Sequence, residues 1–154
     1  MSPEDIVAKF AEALKLFKPI KGPPSIWVLT KILEVLTQLL LQIPFDETEG
    51  KDNLVRVINS TANYRSRYGQ AFVIPRPVGS YNESIADDAK AAVRSKMEAK
   101  HRARRVDCST YNTARRENVH FILRVMEDIW VRKLRDAIKF YTDVDPLALL
   151  THLR

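Results

Sequence analysis

The sequence predicts an all-α protein: a single helical bundle of about five to six helices with a proline-rich connector at residues 70–82. Three observations carry this. Apolar residues recur at three- and four-residue spacings in one segment after another. Helix-start signals, a capping residue followed by proline, stand at Ser2-Pro3 and Asp145-Pro146. Prolines and glycines fall between the periodic segments rather than within them.

The elements follow in order. Ser2 caps a first helix, reaching about Lys18, with Glu4 and Asp5 in the first turn, where the helix dipole favours negative charge. Ile6, Phe10, Leu14 and Phe17 share its apolar face, and Pro19, Gly22, Pro23 and Pro24 break the chain after it. Ser25 caps a second helix ending before Pro44. There Trp27, Leu29, Ile32, Leu33, Leu36, Leu39, Leu40 and Ile43 cover more than half the circumference, so residues 25–43 are expected to be the centre of the core. Trp27→Ala and Leu36→Ala are both expected to leave costly cavities. A third helix is expected from about Lys51 to Tyr68, with Leu54, Val57, Ile58 and Ala62 inward and Gly69 as its left-handed terminus. The connector at 70–82 holds Pro75, Pro77 and Gly79 and is read as ordered without being a strand.

A basic helix over 84–106 opens near Tyr81-Asn82-Glu83-Ser84 and carries Ile85, Ala89, Ala92, Val93 and Met97 at helical spacing. A long helix over 109–136 carries Tyr111, Ala114, Ile122, Val125, Met126, Ile129, Trp130 and Leu134. The reading places a break between these two, started by Asp107, Ser109 or Thr110. One fused rod is the alternative, because neither glycine nor proline separates them. An extended Phe140-Tyr141 stretch then leads to a truncated C-terminal helix over 145–154, so residues 1–154 are read as one helical domain.

Composition narrows the function classes. The lone cysteine, Cys108, excludes an internal disulfide framework and a multi-thiolate zinc site, and a reducing compartment, cytoplasm or nucleus, is expected. Glu4 and Asp5 ahead of the first apolar residues do not suit a secretory signal. The one segment apolar enough to be weighed as a membrane span, Ser25 to Ile43, is interrupted by Lys31, Glu34, Gln38 and Gln42. Their spacing makes a polar stripe on a surface helix, so membrane insertion is not expected.

The formal charge of +6 is concentrated. Seven Lys or Arg between Lys90 and Arg105 face one acid, Glu98, and the rest of the chain has 18 basic against 18 acidic residues. Lys96, Lys100, Arg102, Arg104 and Arg105 are therefore the expected contact surface for RNA or another polyanion, sequence-blind and salt-sensitive. Tyr111 is the aromatic nearest to that run that a single strand would stack on.

No set of groups suits catalysis. Cys108 with His101 or His120 lies in a charged helical region and lacks the environment of a reactive thiolate. The three histidines lack the i, i+4 pairing of helical zinc ligands, and Asp145 of Asp143-Val144-Asp145 is accounted for as the cap before Pro146. Four scattered glycines build no phosphate loop. The chain is accordingly read as no enzyme, with no cofactor, no metal and no small-molecule substrate.

The run from Tyr111 to Trp130, then Leu134-Arg135-Asp136, Phe140 to Asp145 and Leu149 to Leu153, resembles the Gag-like polyprotein of copia-type retrotransposons, in its algal-like form. Val119, Ile122, Val125 to Asp128 and Leu149 to Leu153 fall at that family's apolar positions. Asn53-Leu54, Tyr68 to Phe72, Pro75, Pro77 and Tyr81 extend the likeness over about residues 50–154. Leu150 stands where the common family form has tryptophan, and the sequence stops short of the zinc knuckle, protease and polymerase that the resemblance would lead one to expect. The resemblance implies a capsid-type segment, a fragment or a domesticated copy, that self-associates through helical faces, with any strong RNA packaging relying on parts outside this sequence; the basic patch adds RNA or an acidic protein as expected partners. Leu147, Leu149, Leu150 and Leu153 would then supply a subunit contact delivered by Phe140 to Val144. The competing reading is a basic helical accessory subunit that docks on nucleic acid or an acidic protein within a larger assembly.

Overall fold

The computed structural model describes residues 1–45, 52–75, 91–137 and 139–154. Among them are five α-helices, α1 (Pro3–Leu16), α2 (Ile26–Gln42), α3 (Thr61–Tyr68), α4 (Ala91–Val125) and α5 (Pro146–Leu153), and no strand. The expected all-α bundle is the fold.

α1 starts as a capping box: the Ser2 hydroxyl accepts from the Asp5 N–H, and the Asp5 carboxylate accepts from the Ser2 N–H, both at 3.1 Å. Ile6 and Phe10, one turn apart, are buried, and the helix packs chiefly on α4. Just beyond its end, Phe17 meets Phe121 edge to face at 5.5 Å. The linker that follows closes the far end of α4. The Ile20 N–H donates to the Val125 carbonyl at 2.7 Å, and the Gly22 N–H donates to the Glu127 carboxylate. The Val125 carbonyl, an acceptor in the last turn of the helix that would otherwise need water, is thereby satisfied by distant chain.

α2 is capped by Ser25 and buries Leu29, Ile32, Leu36, Leu39 and Leu40. Trp27 corrects the expectation that the whole apolar set of this helix faces inward. It is 67% exposed, and the Lys31 ammonium sits 3.8 Å from its ring centroid. The reason is register: Trp27 lies one turn before Lys31 and so belongs to the polar stripe of Lys31, Glu34, Gln38 and Gln42, all of which face water. No helix among the described residues is long and apolar enough to cross a membrane.

The single third helix expected over 51–68 is instead two pieces, a 3-10 turn at Leu54–Ile58 and α3, divided at Asn59 and Ser60. Local side chains outcompete a continuous helix there. The Asn53 side chain accepts from the Val55 N–H, the Asn59 amide donates to the Val55 carbonyl, and Ser60 caps α3 by accepting from Asn63. Arg56 bridges the break, donating to the Asn59 carbonyl at 2.7 Å and the Thr61 hydroxyl at 2.8 Å. Leu54, Val55, Val57 and Ile58 are buried, whereas Ala62, expected inward, is exposed. Gly69 ends α3 in the left-handed conformation, as its position requires.

Of the connector, residues 70–75 are described and form no regular element; the remainder and the expected start of the basic helix lie outside the described residues. Phe72 anchors this stretch, stacked on Phe45 at 5.7 Å and on Tyr111 at 5.9 Å and edge-on to Tyr64 at 5.4 Å.

The expected break between the basic and long helices is absent. α4 is one rod of 35 residues. Thr110 is buried within it rather than capping a new start, and without glycine or proline the propagating helix has nothing to stop it. The rod also ends earlier than residue 136, at Val125, where the crossing linker closes it. Asp128–Trp130 and Arg132–Leu134 are 3-10 turns, and Ile129, expected inward, is exposed. The expected extended stretch at 140–144 is likewise a set of turns. Thr142 donates twice to the Lys139 carbonyl, Val144 donates to Tyr141, and Lys139 pairs with Asp143 at 3.0 Å.

Candidate nucleic-acid interface

α4 serves two purposes along its length. From Thr110 onward it gives the core Thr110, Thr113, Ala114, Asn118, Val119, Phe121, Ile122 and Val125. Before Thr110, every residue from 91 to 109 keeps part of its surface in water. At about 1.5 Å per residue this is a length of roughly 28 Å that contributes no buried side chain.

All five residues expected to meet a polyanion lie on that length and are exposed: Lys96, Lys100, Arg102, Arg104 and Arg105. Lys96, Lys100 and Arg104 follow at four-residue steps and form one stripe; Arg102 and Arg105 project on other sides. Among the described residues none of the five is paired with an acid. Their charge is therefore available to a ligand instead of being spent on internal pairs.

The basic character continues where α4 enters the bundle. Arg115 reaches Asp145 at 3.6 Å, and Glu117 sits 3.6 Å from Arg116 and 3.8 Å from His120. A groove of about 430 Å³ opens along this part of α4, between Arg115, Arg116 and His120 on one side and Phe140, Tyr141 and Thr142 on the other. A second, of about 420 Å³, runs between α1 and α4 and includes Lys15, His120 and Arg124.

Tyr111, the aromatic expected to stack a base, is not available for it. The ring is half-buried against Phe72, and burial holds its hydroxyl above the usual tyrosine range. The Tyr141 hydroxyl is raised in the same way by burial, with the neighbouring Asp128 carboxylate adding to it. Among the described residues the aromatics that do face solvent are Trp27 and Phe140. The signal that could have found Trp27 is its register with Lys31 on the polar stripe of α2, whereas the turn that displays Phe140 contains no glycine or asparagine to mark it. Arg115 and Arg116 fall outside the dense Lys90 to Arg105 run and were missed for that reason.

The leucines expected at a subunit contact are placed differently. Leu149, Leu150 and Leu153 are buried in the chain's own core, where α5 packs on α4 and on the Leu54–Ile58 turn. Only Leu147, half-buried beside Ala148, Thr151 and His152, borders solvent. The apolar set that needed a partner has found one within the chain. Cys108 is half-buried with its sulfur 3.6 Å from the Asn112 amide, and among the described residues no three His, Cys, Asp or Glu gather as metal ligands would.

Comparison with protein-family models, with curated proteins and with solved structures finds no match for this chain.

Proposed function

We propose that the chain is a non-catalytic interaction module that holds RNA through the basic length of α4. One observation carries this reading: the densest positive charge in the sequence lies on the part of the longest helix that gives nothing to the core. A length of helix with no buried residue, whose Lys96, Lys100, Arg102, Arg104 and Arg105 meet no acid among the described residues, is suited to a polyanion, whose bound counterions it would release.

The test is fluorescence anisotropy with single-stranded RNA over a range of salt, comparing the wild type with Arg104→Glu/Arg105→Glu. Two lost phosphate contacts should lower the salt slope by roughly 1.4 and weaken binding at low salt, with helicity unchanged because both side chains are exposed. Equal binding by the reversed protein, or none by the wild type at low salt, would overturn the reading. Selective capture of an acidic protein without RNA binding would point to the accessory-subunit role with a protein partner.

The capsid-like role implied by the retrotransposon resemblance is a second reading. Exposed Leu16 and Ile26, at 88% and 85%, and Trp27 support it as apolar surface available for self-association in place of α5. Light scattering across protein concentrations tests it: a strict monomer at all of them removes this role.

A further inference from the structure

Phe140 combines two unusual features. Its backbone is left-handed, φ 54°, the only non-glycine residue described with positive φ, and its ring is 60% exposed. A bulky side chain disfavours that backbone, yet two hydrogen bonds with Asp136, at 2.8 and 3.0 Å, hold it there. The Asp136 carboxylate also accepts from the Lys139 N–H at 2.9 Å, so the turn is closed from both its backbone and its side chain. The result is an aromatic side chain displayed at the wall of the 430 Å³ groove.

Across the groove stand Asn112, Arg115, Arg116 and His120 from α4, rich in hydrogen-bond donors. Asp145 lies 3.6 Å from Arg115, whose side chain stays 39% exposed, and Glu117 lies against Arg116 and His120, whose side chains are 59% and 60% exposed. Arg105, Asn112 and Arg116 follow at seven- and four-residue steps and so share one face of α4. A strand whose phosphates follow the basic length of the helix is led into this groove, about 15 Å further along the axis from Arg105 to Arg115.

Resting on the RNA-binding reading above, we infer that this groove is the subsite for one unpaired base of a single strand. Phe140 is the stacking platform, and Arg115 and Arg116 hold the adjoining phosphates. Cations alone accept single strands and duplexes alike; an exposed ring accepts only a base whose face is free. The cavity is at the scale of a small-ligand site and suits one nucleotide rather than a folded partner.

The experiment measures binding of a labelled oligouridine and a blunt RNA duplex to the wild type, Phe140→Gly and Phe140→Trp. Glycine removes the ring while relieving the left-handed backbone, so this variant should fold at least as well as the wild type. The oligouridine should bind Phe140→Gly about tenfold more weakly, with duplex affinity unchanged. Phe140→Trp should keep single-strand affinity and show quenched fluorescence on binding. Unchanged oligouridine affinity in Phe140→Gly, or an equal loss for both ligands, overturns the subsite while the basic surface stands. Wild-type protein that binds neither ligand overturns the RNA-binding reading and this subsite together.

Discussion

Removing residues 145–154 should unfold or nearly unfold the chain. Leu149, Leu150 and Leu153 are almost completely buried, and each would contribute about 1.5–3 kcal/mol relative to solvent exposure. Together this is roughly 5–9 kcal/mol, an upper estimate because the unfolded chain already shields some apolar surface. The deletion also uncovers the faces of α4 and of the Leu54–Ile58 turn on which α5 rests. A domain of this size has only about 5–15 kcal/mol in total. Urea unfolding followed by circular dichroism at 222 nm, with light scattering on the same samples, checks it. A truncated protein with the midpoint of the intact chain would refute the reasoning and show α5 to be dispensable to the bundle. If that protein also lost an oligomer formed by the intact chain, the subunit-contact role first expected of these leucines would be restored.

Three further outcomes follow from the packing. Leu36→Ala, at a fully buried site, should cost about 2–5 kcal/mol, whereas Trp27→Ala on the polar stripe should cost under about 1 kcal/mol; equal losses in chemical denaturation would contradict the register of α2. Gly69→Ala should destabilise by about 1 kcal/mol in the same assay, purely through the backbone, since φ is +74° and nothing lies within 4 Å of an added Cβ. The Ser2 N–H and hydroxyl hold the Asp5 carboxyl below the ordinary carboxylate range, so its stabilisation of α1 is present above about pH 3.9 and lost as pH falls through the depressed folded value. The melting difference between wild type and Asp5→Ala should therefore shrink toward strongly acidic pH; a constant difference would show that the carboxylate charge is irrelevant.

The parts of the fold that were legible in the sequence are those fixed by local chemistry. Ser2, Ser25 and Asp145 cap helices where their side chains and the following residues require it, and Gly69 ends α3 for the same kind of reason. What the sequence hid depends on distant chain. The end of α4 at Val125 is set by Ile20, which no window around Val125 contains. The split at Asn59 and Ser60 was written in local polar residues but concealed beneath a periodic apolar pattern, because Leu54, Val57 and Ile58 suit a 3-10 turn as well as an α-helix. The basic run was plain in the sequence. Its separation from the core was not, because a pattern of charges does not reveal which half of a helix has neighbours. Phe140 was least accessible of all, since its exposure follows from a turn closed by Asp136 in a segment that reads as extended.

The linker that crosses the end of α4 has a consequence for how the chain acquires its structure. Ile20 and Gly22 meet partners 105 residues later in the sequence, and α1 packs chiefly on the same distant helix rather than on its neighbour α2. During synthesis α1 therefore has little to settle against until α4 has emerged, whereas α2 meets its main partner, the Leu54–Ile58 turn, much sooner. Helical domains ordinarily fold fast because their contacts are short in sequence, but here the last closure joins remote segments and carries a larger loop entropy. The chain is helical in its pieces and non-local in its closure: a nascent α1 would wait with Ile6 and Phe10 uncovered until the length that completes them arrives.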